Sequence, residues 1–288
     1  LFIPVAVRII KTISEMQNVS EQLRFEGKKI ALVPTMGYLH RGHATLIERA
    51  RTLADVVVTS IFVNPTQFAP NEDFTRYPRD LVHDTKIAEA AGADIIFHPS
   101  ASDMYPPTSS TYVMVEDVSK LLEGGFRPTH FRGVTTVVAK FFNIVKPHIA
   151  IFGQKDAQQV FIIQKMVREL NINVQLMVVP IVREEDGLAL SSRNAYLSEE
   201  ERKRALVLSQ SLSKAKEHIL AGERNLAQLR SEIQTTIQSG QPTGIDYIAF
   251  INPETFQPTE VLSPHGVLIA LAVRFGTTRL IDNILITL

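Results

Sequence analysis

The sequence contains no cysteine in its 288 residues. That excludes disulfides, thiolate metal sites and a cysteine nucleophile, and it fits a reducing, cytoplasmic setting. Net charge is also missing, because 30 lysines and arginines balance 30 aspartates and glutamates. A neutral total argues against a nucleic-acid coat or a polybasic membrane surface. No apolar run reaches the roughly 18 residues needed to span a bilayer, and there is no internal repeat or low-complexity tract. The apolar start, LFIPVAVRIIKTISEM, has neither a basic region ahead of it nor a small-residue cleavage site. It therefore reads as a first strand and helix, not a signal peptide. What is present is material for a packed core. Hydrophobic residues make up 45% of the chain and charged ones 21%, enough for one large domain or two ordinary ones.

Over the first two thirds, short apolar runs alternate with helical patterns. KKIALVP (28–34) and DVVVTSIFV (55–63) are continuous apolar runs, as suits strands buried on both faces. Between them Leu46, Ile47, Ala50, Leu53 and Ala54 share one helical face. Helices near 80–91, 131–145 and 156–170 precede or separate further strands at 94–100, 148–153 and 173–182. This alternation predicts an α/β fold, a Rossmann-like doubly wound parallel sheet, in a domain spanning 1–183. Ligands bind such sheets beyond the carboxyl ends of the strands. Four strand-end stretches, 34–43, 64–68, 153–159 and 183–194, should therefore converge. After about residue 185 the pattern changes. A charged helix (198–223), opened by Ser198 and Glu201 at capping-box spacing, and a helix at 225–238 precede strand-like runs at 245–252, 266–274 and 279–287. These predict a smaller α+β C-terminal domain, 184–288.

PTMGYLHRGH (34–43) joins a strand to a helix. A glycine-bearing turn at a helix amino terminus offers free N–H groups and a positive dipole end, and imidazoles there can donate to phosphate while their charge follows that of the phosphate. A zinc reading of His40 and His43 lacks cysteines and a third histidine at ligand spacing. In NPTQF (64–68), Asn64 and Gln67 are neutral amides suited to a hydroxyl or carboxylate, or simply to turn chemistry. In GQKDAQQ (153–159), Asp156 suits an N-cap. Lys155 stands at the helix end where a cation is disfavoured, which points to an anion nearby. Gln158 and Gln159 follow in the first turn, so at least one can face the cleft. DGLALSSRN (186–194), with two serines, an arginine and an asparagine at the domain boundary, reads equally as a phosphate clamp or a polar linker.

Taken in order, PTMGYLHRGH, SIFVNPTQF, YPRD, HFRGV, FGQKDAQQ, LSSRN and RLIDN resemble the pantothenate synthetase (pantoate–β-alanine ligase) family from about Lys28 to the end. Within them LHRGH looks like the HxGH signature of the wider nucleotidyltransferase superfamily. Arg41 adds a positive charge at a variable position of that motif, and Gln154 stands where glutamate is common. The resemblance implies an ATP-dependent ligase that condenses pantoate with β-alanine through a pantoyl adenylate, releasing AMP and pyrophosphate. ATP would lie along Met36, Gly37, Tyr38, Leu39, His40, Arg41, Gly42 and His43, on Gly153, Gln154, Lys155 and Asp156, near Val182, and under Leu190, Ser191, Ser192 and Arg193. Pantoate would be held between Gln67 and Gln159, with Asn64 beside them. Magnesium would be carried mainly by the ATP phosphates, with Asp84 a metal-side carboxylate. A homodimer with a closing C-terminal lid is implied as well. Pantoate is already ionised at neutral pH, so adenylation needs positive charge and orientation more than a base. His40, His43, Lys155 and Arg193 would supply the first, and Gln67 and Gln159 the second. A cytidylyltransferase with another small substrate and a catalytically inactive nucleotide-binding regulator stay open. Nucleotide selectivity would decide the former and turnover the latter.

Overall fold

The computed structural model describes residues 6–70 and 72–288. The first five residues of the apolar start lie outside the described residues. The strands are β1 (Arg8–Ile10), β2 (Ile30–Thr35), β3 (Val56–Ile61), β4 (Ile95–Phe97), β5 (Ile149–Gly153), β6 (Gln175–Val179), β7 (Gly244–Ile251), β8 (Val267–Phe275) and β9 (Thr278–Ile286). The helices are α1 (Ile13–Phe25), α2 (Arg41–Arg51), α3 (Leu81–Ala90), α4 (Ala101–Met104), α5 (Glu123–Phe126), α6 (His130–Val145), α7 (Ala157–Glu169), α8 (Glu199–Ala205), α9 (Val207–Leu220) and α10 (Leu226–Ser239).

Two compact units result. One runs to Gln154 and resumes at Gln158–Pro180; the other comprises Lys155–Ala157 and Ile181–Leu288. In the first, six parallel strands lie in the order β1-β4-β3-β2-β5-β6. Its central strands β2–β5 are buried on both faces, which is why they read as unbroken apolar runs rather than alternating ones. Ala31, Val33, Val57 and Ile151 pack with Ala44, Ile47 and Ala50 of α2, while α1 and α6 both lie against β2 and against each other. From β2 the chain winds outward through β3 and β4, then returns to the other side of β2 as β5. The strand order therefore reverses between β2 and β5, the place where open α/β sheets bind ligands.

In the second unit β7, β8 and β9 form an antiparallel sheet. It shares a core with α9 and α10 through Leu208, Leu212, Ile233, Phe250, Ile269 and Leu271. The capping box at Ser198 and Glu201 is present in both directions. The single charged helix expected over 198–223 is two helices, α8 and α9, meeting at Leu206. The strand expected over 173–182 stops at Val179, because Pro180 has no amide for the ladder. Among the described residues no helix is long and apolar enough to cross a membrane.

Candidate active site

The turn after β2 is fastened from within the chain by Thr35 and Asp84. Thr35 Oγ1 donates to Ser60 O at 2.6 Å and accepts from Gly37 N at 3.2 Å. Gly37 (φ 87°) and Tyr38 (φ 49°) are successive left-handed residues. A Cβ on Gly37 would also meet Asp84 Oδ2 at 2.9 Å and Ile61 Cγ2 at 3.0 Å, so conformation and space both require glycine. Asp84, reaching in from α3, is 1% exposed. Its Oδ2 accepts from Tyr38 N at 2.9 Å and its Oδ1 from Leu39 N at 2.6 Å. Burial pushes its carboxyl above the usual range, and the amides of Leu39 and Tyr38 pull it partly back.

The helix that follows is capped by histidines. His40 is extended (φ −139°, ψ 179°) and is the N-cap of α2. Its Nδ1 accepts from Gly42 N at 3.1 Å, and His43 Nδ1 accepts from His40 N at 3.3 Å. The two imidazoles thus form a reciprocal capping box, with ring centroids 4.1 Å apart. A ring whose Nδ1 accepts an amide carries its neutral-state proton on Nε2. These contacts correct two expectations. The amides of Gly37, Tyr38, Leu39, His40 and Gly42 are satisfied within the chain, so they do not form a free anion nest. Nor is Nδ1 of either ring open to phosphate, since each accepts an amide of the cap. Leu39 faces the core at 2% exposure, so only its backbone belongs to the turn. Arg41 pairs with Glu48 on its own helix, which counters the extra positive charge.

The loop after β3 sorts its two amides into different roles. Asn64, 1% exposed, donates Nδ2 to Gln67 Oε1 at 3.1 Å and to Gly133 O at 3.0 Å. Its Oδ1 accepts from Thr66 N and Thr66 Oγ1. Both N–H groups and the oxygen are thereby used within the chain, and Asn64 orients Gln67. With Oε1 of Gln67 fixed on Asn64, its amide nitrogen is the outward group, 2.8 Å from Met36 Sδ. The loops after β2 and β3 therefore meet, as expected. Gly133 allows α6 this close, since a Cβ there would lie 2.4 Å from Thr66 O. His130 Nδ1 lies 3.0 Å from Gln67 O, and Arg127 binds Glu72 through Nε and Nη2, each at 2.6 Å.

At the end of β5, Gln154–Asp156 form a 3-10 turn running straight into α7. Asp156 is helical itself and so is not the extended N-cap expected of it. Lys155 Nζ stands 3.8 Å from Asp156 Oδ1. Of the two glutamines, Gln158 is spent on structure: it accepts from Glu123 N at 3.0 Å and donates to Val118 O and Leu121 O, each at 2.8 Å. Gln159 is half-buried.

In the second unit, Leu190 N donates to Val182 O at 3.0 Å, closing a hairpin that delivers Ser191, Ser192 and Arg193. Ser191 Oγ accepts from Arg193 N at 3.2 Å and starts a 3-10 turn, Ser192–Tyr196. Asn194 ties that turn to Glu184 Oε1 at 2.9 Å and Ala189 O at 3.0 Å.

A side-chain metal cage is absent among the described residues: no three or more His, Asp or Glu groups stand together as one. Asp84, the expected metal-side carboxylate, has both oxygens on backbone amides and fastens the turn. Sequence reasoning also passed over Asn64 as an orienting residue, and over Gly133 and His130. The only signal for the last two lay in the HFRGV block.

The family model for pantoate–β-alanine ligase matches residues 8–285. The pantothenate synthetase of Acetivibrio thermocellus is 54% identical over 280 residues, covering 97% of this chain and 99% of that protein. That of Geobacter sulfurreducens is 56% identical over 277 residues, covering 96% and 98%. Among solved structures, pantothenate synthetase from Thermus thermophilus superposes with a TM-score of 0.91 at 43% identity, covering 98% of this chain and all of that one. A pantoate–β-alanine ligase from Francisella tularensis, solved with a β,γ-ATP compound and β-alanine, gives 0.78 at 36% identity, covering 97% and 98%. These matches define an α/β ligase that forms amide bonds. The chain belongs to the pantoate–β-alanine ligase family.

Proposed function

We propose that this chain activates pantoate with ATP to a pantoyl adenylate and passes the pantoyl group to β-alanine, releasing pyrophosphate and then AMP. The observation that carries the reading is the contact of Gln67 with Met36, 2.8 Å from Nε2 to Sδ. A carboxylate held by that neutral amide lies beside the turn after β2, whose own carboxylate, Asp84, is engaged by the amides of Tyr38 and Leu39. In the first step a pantoate oxygen attacks the α-phosphorus and the bond to the β-phosphate bridging oxygen breaks. In the second, the β-alanine amine attacks the pantoyl carbonyl and AMP leaves.

The residues divide the work by charge. The Nε2–H tautomers of His40 and His43 support a role as neutral donors to phosphate oxygens. Lys155 and Arg193 supply the net positive charge, with Ser191 and Ser192 as hydroxyl donors. Gln67 and Gln159 orient pantoate. ATP takes its place along Met36–His43, Gly153–Asp156, Val182 and Leu190–Arg193. Magnesium enters as the nucleotide's counter-ion, in keeping with its habit of binding phosphates and water rather than side-chain cages, and no step here passes through it. A cytoplasmic homodimer whose C-terminal unit acts as a lid completes the reading. Sedimentation would test the dimer.

The mechanism is tested by labelled pyrophosphate. Exchange into ATP is expected with pantoate and magnesium present and β-alanine absent. Exchange that ignores pantoate, or ADP as the product, would rule out the adenylate.

A further inference from the structure

Asp282 and Asn283 are neighbours on β9, 2% and 4% exposed. A buried carboxylate and a buried amide are costly unless partnered, and each has a partner outside its own strand. Asp282 holds Arg183 in a fork, Oδ2 to Nη1 at 2.7 Å and Oδ1 to Nη2 at 2.9 Å. Arg183 also donates to Gly187 O at 3.2 Å and is bridged to Ala189 across the hairpin. The fork therefore grips the root of the hairpin whose outgoing arm continues to Ser191, Ser192 and Arg193. Asn283 reaches elsewhere: its Nδ2 donates to Lys155 O at 2.9 Å. Lys155–Ala157 belong to the second unit although the residues on both flanks belong to the first. The Lys155 peptide is thus held from β9.

We propose that Asp282 and Asn283 are positioning residues that give Lys155 and the Ser191–Arg193 segment one common anchor. Asn283 acts through the Lys155 carbonyl and sets the reach of the ammonium group. Asp282 acts through Arg183 and sets the hairpin. Neither touches a reactant. A nucleotide that needs both cations then meets them already in register, which lowers the orientation cost of adenylation. The inference rests on the assignment of Lys155 and Arg193 to the ATP phosphates made above.

The test is a double-mutant cycle on pyrophosphate–ATP exchange, with Asn283→Ala, Lys155→Ala and the pair. Asn283→Ala should lower exchange turnover about 10- to 100-fold and leave the pantoate KM within about two-fold. In the Lys155→Ala background it should cost nothing further. The same cycle read as ATP dissociation constants covers a Lys155→Ala protein whose exchange is too slow to follow. A second arm uses Arg183→Lys, which keeps the charge opposite Asp282 but gives up the fork. It should raise the ATP KM several-fold and spare the pantoate KM. Full penalties for Asn283→Ala in both backgrounds, or no effect where Lys155→Ala is damaging, would overturn the inference. Equal shifts of both KM values in Arg183→Lys would remove the Asp282 half. An inert Lys155→Ala would instead strike the phosphate assignment itself, and this inference with it.

Discussion

The turn after β2 and the hairpin at Arg183–Asn194 are held by opposite means. Asp84, Thr35 and the two capping imidazoles fix the turn through buried and part-buried hydrogen bonds to backbone amides. Ion pairs hold the hairpin: Arg183 on Asp282, and Arg202 on Glu184 and Asp186 at 2.8 and 2.6 Å. Contacts of the first kind are short-ranged and insensitive to salt. Of the ion pairs, the partly exposed ones of Arg202 with Glu184 and Asp186 weaken as ionic strength rises, whereas the buried Asp282 is screened less. The turn is therefore built as a fixed template, and the hairpin as a segment whose hold can be adjusted.

The comparison breaks first at Asp84. Asp84→Asn keeps the shape but sets an NH2 group against one of the two amides, leaving donor facing donor in a buried site. A loss of about 4 kcal/mol of stability is expected, seen as a lowered denaturation midpoint in urea. ATP affinity should fall as the left-handed pair Gly37–Tyr38 relaxes, while the magnesium dependence of the remaining activity stays as it was. A shifted magnesium requirement at normal stability would instead restore Asp84 as a metal-side residue.

Acid sharpens the comparison next. His130 supports the Gln67 loop from within the first unit, and burial, then the nearby Arg127 charge, lowers its pKa from 6.5 to about 4. Glu72 and Glu123 pull the other way. The folded state resists protonation, so between these values the unfolded chain binds more protons. The contribution of His130 is complete above about pH 6.5 and is lost as pH falls toward 4, on the order of 3 kcal/mol in all. Glu72 opposite Arg127 has a lowered pKa and stays charged through most of that window. His130→Asn keeps a donor toward Gln67 O and removes the titration. Its stability should change less than that of the parent between pH 7 and 4.5, measured by urea denaturation at each pH. Parallel curves would mean that other groups set the acid limit.

Local chemistry was legible in the sequence and distant chemistry was not. The strands of the parallel sheet announced themselves as apolar runs, and Ser198–Glu201 as a box, because both signals sit within a few residues. His40 and His43 have that same box spacing. Their imidazoles drew a phosphate reading before a capping one, and the structure gives both rings the cap. Asp84 lies 45 residues from Leu39, and no local pattern could assign its oxygens to those amides. The divisions between Asn64 and Gln67, and between Gln158 and Gln159, were equally hidden. Neighbouring amides of like chemistry are told apart only by which of them finds buried partners. Lys155–Ala157 were read with the helix expected over 156–170, whereas their contacts group them with the second unit.

The smallest effect falls on the hairpin and tests its side of the comparison. Arg202, Glu184 and Asp186 are each about one-third exposed in their side chains, so water and salt share their field. Arg202→Ala should cost only about 1 kcal/mol of stability at low salt, and less at high salt. Its clearer consequence is local. With Glu184 released on the Arg202 side, the Asn194–Glu184 tie between the 3-10 turn and the hairpin loosens, and the segment from Arg183 to Arg193 opens more often. Limited trypsin digestion reads this directly, since it cuts after Arg183 and Arg193. The parent should be cut faster there as salt rises. Arg202→Ala should be cut fast at every salt concentration, and ATP should slow both. A cleavage rate indifferent to salt in the parent would show that Arg183–Asp282 and the backbone bonds already suffice. The hairpin would then be as fixed as the turn after β2.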